Sequence, residues 1–86
     1  MPEIYRFCGI IIRMYGEEHA PPHFHAFYGD EEGVFSIASG KLLKGRLPKK
    51  QEKLVIAWAA IYKKELLENW NSLTTGKGFK KIDPLN

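Results

Sequence analysis

The sequence predicts an α+β domain, with four or five mostly antiparallel strands and one long C-terminal helix packed on one face of the sheet. Three observations carry the prediction. Residues up to about 47 form short runs rich in β-branched and aromatic side chains, punctuated by glycine and proline. From Pro48 onward, apolar residues recur at steps of three and four. The chain has 86 residues, 44% of them hydrophobic and 27% charged, which suits one small folded domain rather than a disordered chain.

The opening run "EIYRFCGIIIRMYG" reads as two strands, Ile4 to Cys8 and Ile10 to Tyr15, joined or bent at Gly9. Cys8 lies among apolar neighbours and is expected to be a small buried side chain. In the second strand Ile10, Ile12 and Met14 alternate against Ile11, Arg13 and Tyr15. Both faces are largely apolar, which predicts a helix on one side and more protein or a partner on the other.

"GEEHAPP" is a loop, because Pro22 has no N–H for a ladder and the residue before a proline avoids helix. A strand follows from His23 to Tyr28 and ends at "GDEEG", read as a hairpin turn with Gly29 and Gly33. "VFSIAS" is the return strand, and "GKLLKG" either extends the sheet or supplies its last short strand.

Pro48 suits a first helical turn, where the N–H it lacks would have had no partner. One helix, straight or bent, is expected from there to about residue 73, with Val55, Ala59, Tyr62, Leu66, Trp70 and Leu73 facing the sheet and Leu54, Trp58 and Ile61 widening the stripe. Lys53, Lys63, Lys64 and Glu68 lie opposite, toward water. After Gly76 a tail carries one short extended piece, Phe79 to Ile82, able to add to a sheet edge. The whole chain, 1–86, is read as a single domain: sheet about 3–47, helix about 48–73, tail 74–86.

The formal net charge is +3, from 13 Lys and Arg against 10 Asp and Glu, a mild excess for a chain that meets nucleic acid. Between Lys41 and Lys53 six basic residues face only Glu52. Lys44, Arg46, Lys49 and Lys50 within this run are the candidate phosphate contacts; the alternative is a solvated basic surface. One cysteine allows no internal disulfide, and no apolar run approaches a membrane span, so a reducing cytoplasm is expected.

All three histidines fall within "HAPPHFHAFYG", residues 19 to 29. In a strand, His23 and His25 share a face while Phe24, Ala26 and Tyr28 take the other. Three uses follow. His19, His23 and His25 can ligate zinc or another divalent transition metal, with Glu17, Glu18 or Asp30 supplying oxygen. Without metal, His23 and His25 can act as an acid/base pair on an RNA 2′-hydroxyl and leaving oxygen. Alternatively both are structural, hydrogen-bonded to loops and the helix, in a protein with no cofactor. Spacing alone does not choose among them.

The segments "MPEIYRFCGIIIRMYG", "PPHFHAFYG", "GKLLKGRLP" and "ELLENW" together resemble, over nearly the whole chain, a small bacterial family known as domain-of-unknown-function family forty-one sixty. Its most specific element, Pro-Pro-His-x-His, falls on Pro21, Pro22, His23, Phe24 and His25. The resemblance implies a cytosolic protein from a two-gene, toxin–antitoxin-like module, working with a small neighbouring protein. Two functions are therefore expected: an RNA-directed protein using His23 and His25, or a non-enzymatic interaction domain binding that small protein or a second copy of itself.

Overall fold

A computed structural model describes residues 3–16, 19–78 and 80–82. Five strands form one antiparallel meander in the order β1-β2-β3-β4-β5, followed by two helices. The strands are β1 (Glu3–Phe7), β2 (Ile10–Arg13), β3 (His23–Tyr28), β4 (Glu31–Ser36) and β5 (Leu42–Gly45). The helices are α1 (Lys49–Ile61) and α2 (Lys63–Thr74). Among the described residues, no helix is long and apolar enough to cross a membrane.

Strand alternation divides the sheet. Ile10, Ile12, Phe24, Ala26 and Phe35 are wholly buried on one face, where Trp58 of α1 meets Phe7, Phe24 and Tyr5 ring to ring. The expected contact stripe is in place: Val55, Trp58, Ala59, Tyr62, Leu66 and Trp70 are all buried. Ile61 departs from it, standing 60% exposed beside the end of α1, because the buried arc of the helix is narrow and already filled by Trp58, Ala59 and Tyr62.

The single long helix is corrected to two. Tyr62 separates them with φ −103° and ψ 19°, yet its N–H still donates to the Trp58 carbonyl at 3.0 Å and its carbonyl accepts from the Leu66 N–H at 2.9 Å. The helical phase therefore survives the bend, which is why the apolar period runs on unbroken. A straight helix over 49–74 would be about 39 Å long. The longest extent of the fold is 33 Å, so a rod would overrun the sheet.

Both hairpin tips differ from their expected form. Phe7 pairs with Ile10, leaving Cys8 (φ 49°) and Gly9 (φ 76°) as a two-residue turn with both φ positive, the type I′ pattern. Cys8 is thereby exposed at a tip rather than buried. Tyr28 pairs with Glu31, so the second turn is Gly29 and Asp30 alone, with Gly29 at φ 57°. Glu31 and Glu32 are strand residues, and the return strand is 31–36 rather than 34–39. The second strand likewise stops at Arg13, short of Tyr15.

The tail docks through an amide. Asn69, buried in α2, donates from Nδ2 to the Lys80 carbonyl at 2.9 Å and accepts the Lys80 N–H at Oδ1 at 2.7 Å. Ile82 then donates its N–H to the Ile4 carbonyl at 2.9 Å, so the tail reaches the β1 edge as expected. Phe79 lies outside the described residues.

Candidate functional site: the open face of the sheet

The face opposite the helices carries the alternate residues. Register places Arg13 beside His25, His25 beside Val34 and Val34 beside Lys44, one row across β2 to β5. The neighbouring row runs Arg6, Ile11, Phe27, Glu32. Ile11, Phe27 and Val34 are half-buried.

His25 is held on three sides. Its Nδ1 lies 2.7 Å from Glu32 Oε2; the Tyr15 ring meets it edge-on at 4.7 Å, and Phe27 stacks at 6.3 Å. The Arg13 guanidinium lies over Phe27, 5.3 Å from the ring centroid, and its Nε is buried without a hydrogen-bond partner.

His23 opens β3. Its Nδ1 is 2.7 Å from the Pro21 carbonyl, and its ring packs 5.0 Å from Trp70 of α2. The loop before it is fitted to the helix end, since a Cβ on Gly16 would stand 3.0 Å from the Leu73 carbonyl. A carbonyl only accepts, so His23 carries its proton on Nδ1; an ionised Glu32 fixes His25 the same way. The two ring centroids are 5.5 Å apart.

The anticipated residues separate as follows. His23 and His25 come together. His19 is exposed in the loop, and no group of three His, Cys, Asp or Glu among the described residues is placed to hold a metal. Glu17 and Glu18 lie outside the described residues. Asp30 is exposed at the hairpin tip, and among the described residues Glu32 brings a carboxylate to His25. The four cations also divide: Lys44 is on the open face, Arg46 lies 3.8 Å from Glu31, and Lys49 and Lys50 occupy the first turn of α1 in the other layer.

Glu32, Tyr15 and Trp70 were not anticipated as site residues. Glu32 is legible from register alone, because with a two-residue turn it is the diagonal neighbour of His25 on the same face. Tyr15 shares the parity of Arg13 in the strand pattern. Trp70 had no signal beyond its place in the buried stripe. The site is a surface, not a pit: a cavity of about 340 Å³ between α2 and the tail has Glu65, Asn69, Lys80 and Ile82 in its wall but neither histidine.

The family model described as a domain of unknown function, DUF4160, matches residues 9–71, and the chain belongs to that family. The matched span contains β2 through most of α2, with His23, His25, Glu32 and the open face. No curated protein and no solved structure matches the chain.

Proposed function

We propose that the protein binds single-stranded RNA along the open sheet face and that His23 and His25 act there as a base and an acid on one phosphodiester. The observation that carries this reading is the row Arg13–His25–Val34–Lys44 with Glu32 behind His25. Three strand spacings make the row about 14 Å long, a reach of two or three nucleotides, with cations at both ends and an imidazole between them. Tyr15 and Phe27 offer ring faces and edges for stacking.

In this scheme His25 Nε2 takes the proton of a 2′-hydroxyl while Glu32 steadies the imidazolium through Nδ1. The 2′-oxygen bonds to phosphorus as the bond from phosphorus to the 5′-oxygen breaks. His23, entering as the imidazolium with the Pro21 carbonyl on its Nδ1–H, returns a proton from Nε2 to that leaving oxygen. The products are a 2′,3′-cyclic phosphate and a 5′-hydroxyl. Arg13 and Lys44 offset the charge on the phosphoryl oxygens and the adjacent phosphates. Such an activity suits the toxin side of a two-gene module in the cytoplasm, restrained by a small protein partner.

The test uses a labelled single-stranded RNA and its 2′-deoxy counterpart. Both should bind at low salt, and only the RNA should be cut. His25→Ala and His23→Ala should each lower cleavage about 10²- to 10⁴-fold while the melting curve stays two-state and binding persists. Arg13→Ala and Lys44→Ala should each reduce the salt slope of binding by about one. No binding at low salt, or cleavage indifferent to both histidine substitutions, overturns the proposal.

A further inference from the structure

The outward face of α1 and of the first turn of α2 has an unusual composition. From residue 49 to residue 64 its exposed positions are Lys49, Lys50, Lys53, Ile56, Ala57, Ala60, Ile61, Lys63 and Lys64, with no acid among them. Glu52 is half-buried, and the first exposed acid beyond them is Glu65. A solvated helix face is ordinarily mixed in sign and polar at its centre. Here Ile56 is 38% and Ile61 60% exposed, at the middle and the end of the helix.

The arrangement is also ordered. Lys49, Lys53, Ile56, Ala60 and Lys63 follow steps of four, three, four and three, the spacing of a helix–helix seam. Ile56, Ala60 and Lys63 share the wall of a groove of about 210 Å³ with Ile37, Ala38 and Gly40 from the β4–β5 connection. The small side chains Ala57 and Ala60 let another backbone approach closely, and the groove beside Ile56 has room for an apolar anchor.

We propose that this face docks an acidic amphipathic helix of a partner protein. The partner's apolar stripe would cover Ile56, Ala57, Ala60 and Ile61, and its carboxylates would meet the lysines at both ends, along the roughly 20 Å of α1 and onto the first turn of α2. Charge complementarity selects this occupant. A second copy would bring five lysines against five, and a nucleic acid would strand the isoleucines against a charged backbone. The site lies on the outward face of the helices, contains neither histidine and does not depend on their chemistry.

A helix-stapled synthetic peptide with leucines on one stripe and glutamates at both ends is the probe, its affinity read by fluorescence anisotropy on the full chain. Binding should weaken steeply with salt. Ile56→Asp and Ile61→Asp should each weaken it about tenfold or more, and the pair Lys53→Glu with Lys64→Glu should do the same without altering the melting temperature. A lysine-ended version of the peptide should restore binding to that charge-reversed pair. His25→Ala should leave the peptide affinity unchanged, which separates this site from the RNA face. The proposal is overturned if the peptide binds the aspartate variants as well as the parent. It is equally overturned if only anionic phosphatidylglycerol vesicles bind this face, or if Ile61→Asp instead converts a dimer to a monomer in sedimentation.

Discussion

The two faces of the sheet are built from the same strands, residue by alternate residue, and they differ in nearly everything else. On the helix side Phe24, fully buried, stacks on Phe35 at 5.5 Å and meets Trp58 edge-on at 5.7 Å. Three positions along β3, Phe27 lies on the open side under a guanidinium, flanked by His25 and Glu32. The covered face is explained by burial, since each large apolar side chain removed from water contributes about 1.5–3 kcal/mol. The open face mixes burial with charge, since His25 is mostly buried beside Glu32 and the Arg13 Nε is buried without a hydrogen-bond partner. Its row of Arg13, His25 and Lys44 sets two cations and an imidazole beside half-buried apolar side chains.

The largest expected effect is on the covered side. Phe24→Ala should cost about 3–5 kcal/mol, a large share of the 5–15 kcal/mol typical of a whole domain, read as a collapse of the urea midpoint. Phe27→Ala should cost no more than about 1 kcal/mol of stability while weakening RNA binding by about 1–3 kcal/mol if a base stacks there. Equal losses of stability for the two phenylalanines would erase the distinction between the faces. The smallest effect belongs to the rim. Arg6, hydrogen-bonded to the Glu3 carboxylate at 2.8 Å and 3.2 Å, holds the Glu3 carboxyl below its ordinary range. Its contribution is therefore present above the ordinary carboxylate value and fades as pH falls through the lowered one. Glu3 is involved only at the surface, so Glu3→Gln should leave the neutral-pH melting temperature unchanged within scatter. A marked drop would mean that the β1 rim carries real load.

Much of this division is legible from a period of two. That His23 and His25 share a face, that Phe24 and Ala26 take the other, and that Ile10 and Ile12 oppose Ile11 and Arg13 all follow from strand alternation alone. What escapes is set by turn length and by contacts distant in sequence. Reading "GDEEG" wholly as a turn hides Glu32, although shortening the turn to Gly29 and Asp30 brings its carboxylate to His25. A bend is allowed by the sequence, but its place at Tyr62 is silent because the bonds on either side keep the helix in phase. Cys8 has apolar neighbours, and only the demand for two left-handed residues between Phe7 and Ile10 reveals it as a tip. The ring of Trp70 on His23 joins residues 47 positions apart and leaves no local trace.

The tail that Asn69 clamps has a consequence for how copies of the chain behave when crowded. An open sheet has two unpaired margins, each able to recruit another strand and propagate into an aggregate. At the β1 margin the Ile82 N–H already occupies the Ile4 carbonyl, so the tail stands partly in the place an incoming strand would take. The β5 margin is guarded differently: it is four residues long, its pairing with β4 slips between Val34 and Phe35, and Lys41 and Lys44 put charge on or beside it. Only Leu43, 50% exposed, offers an apolar hold there. Removing the Asn69 clamp would free the β1 margin and uncover Ile82, a buried core residue, so the damage would show as turbidity at high concentration together with a lower melting point.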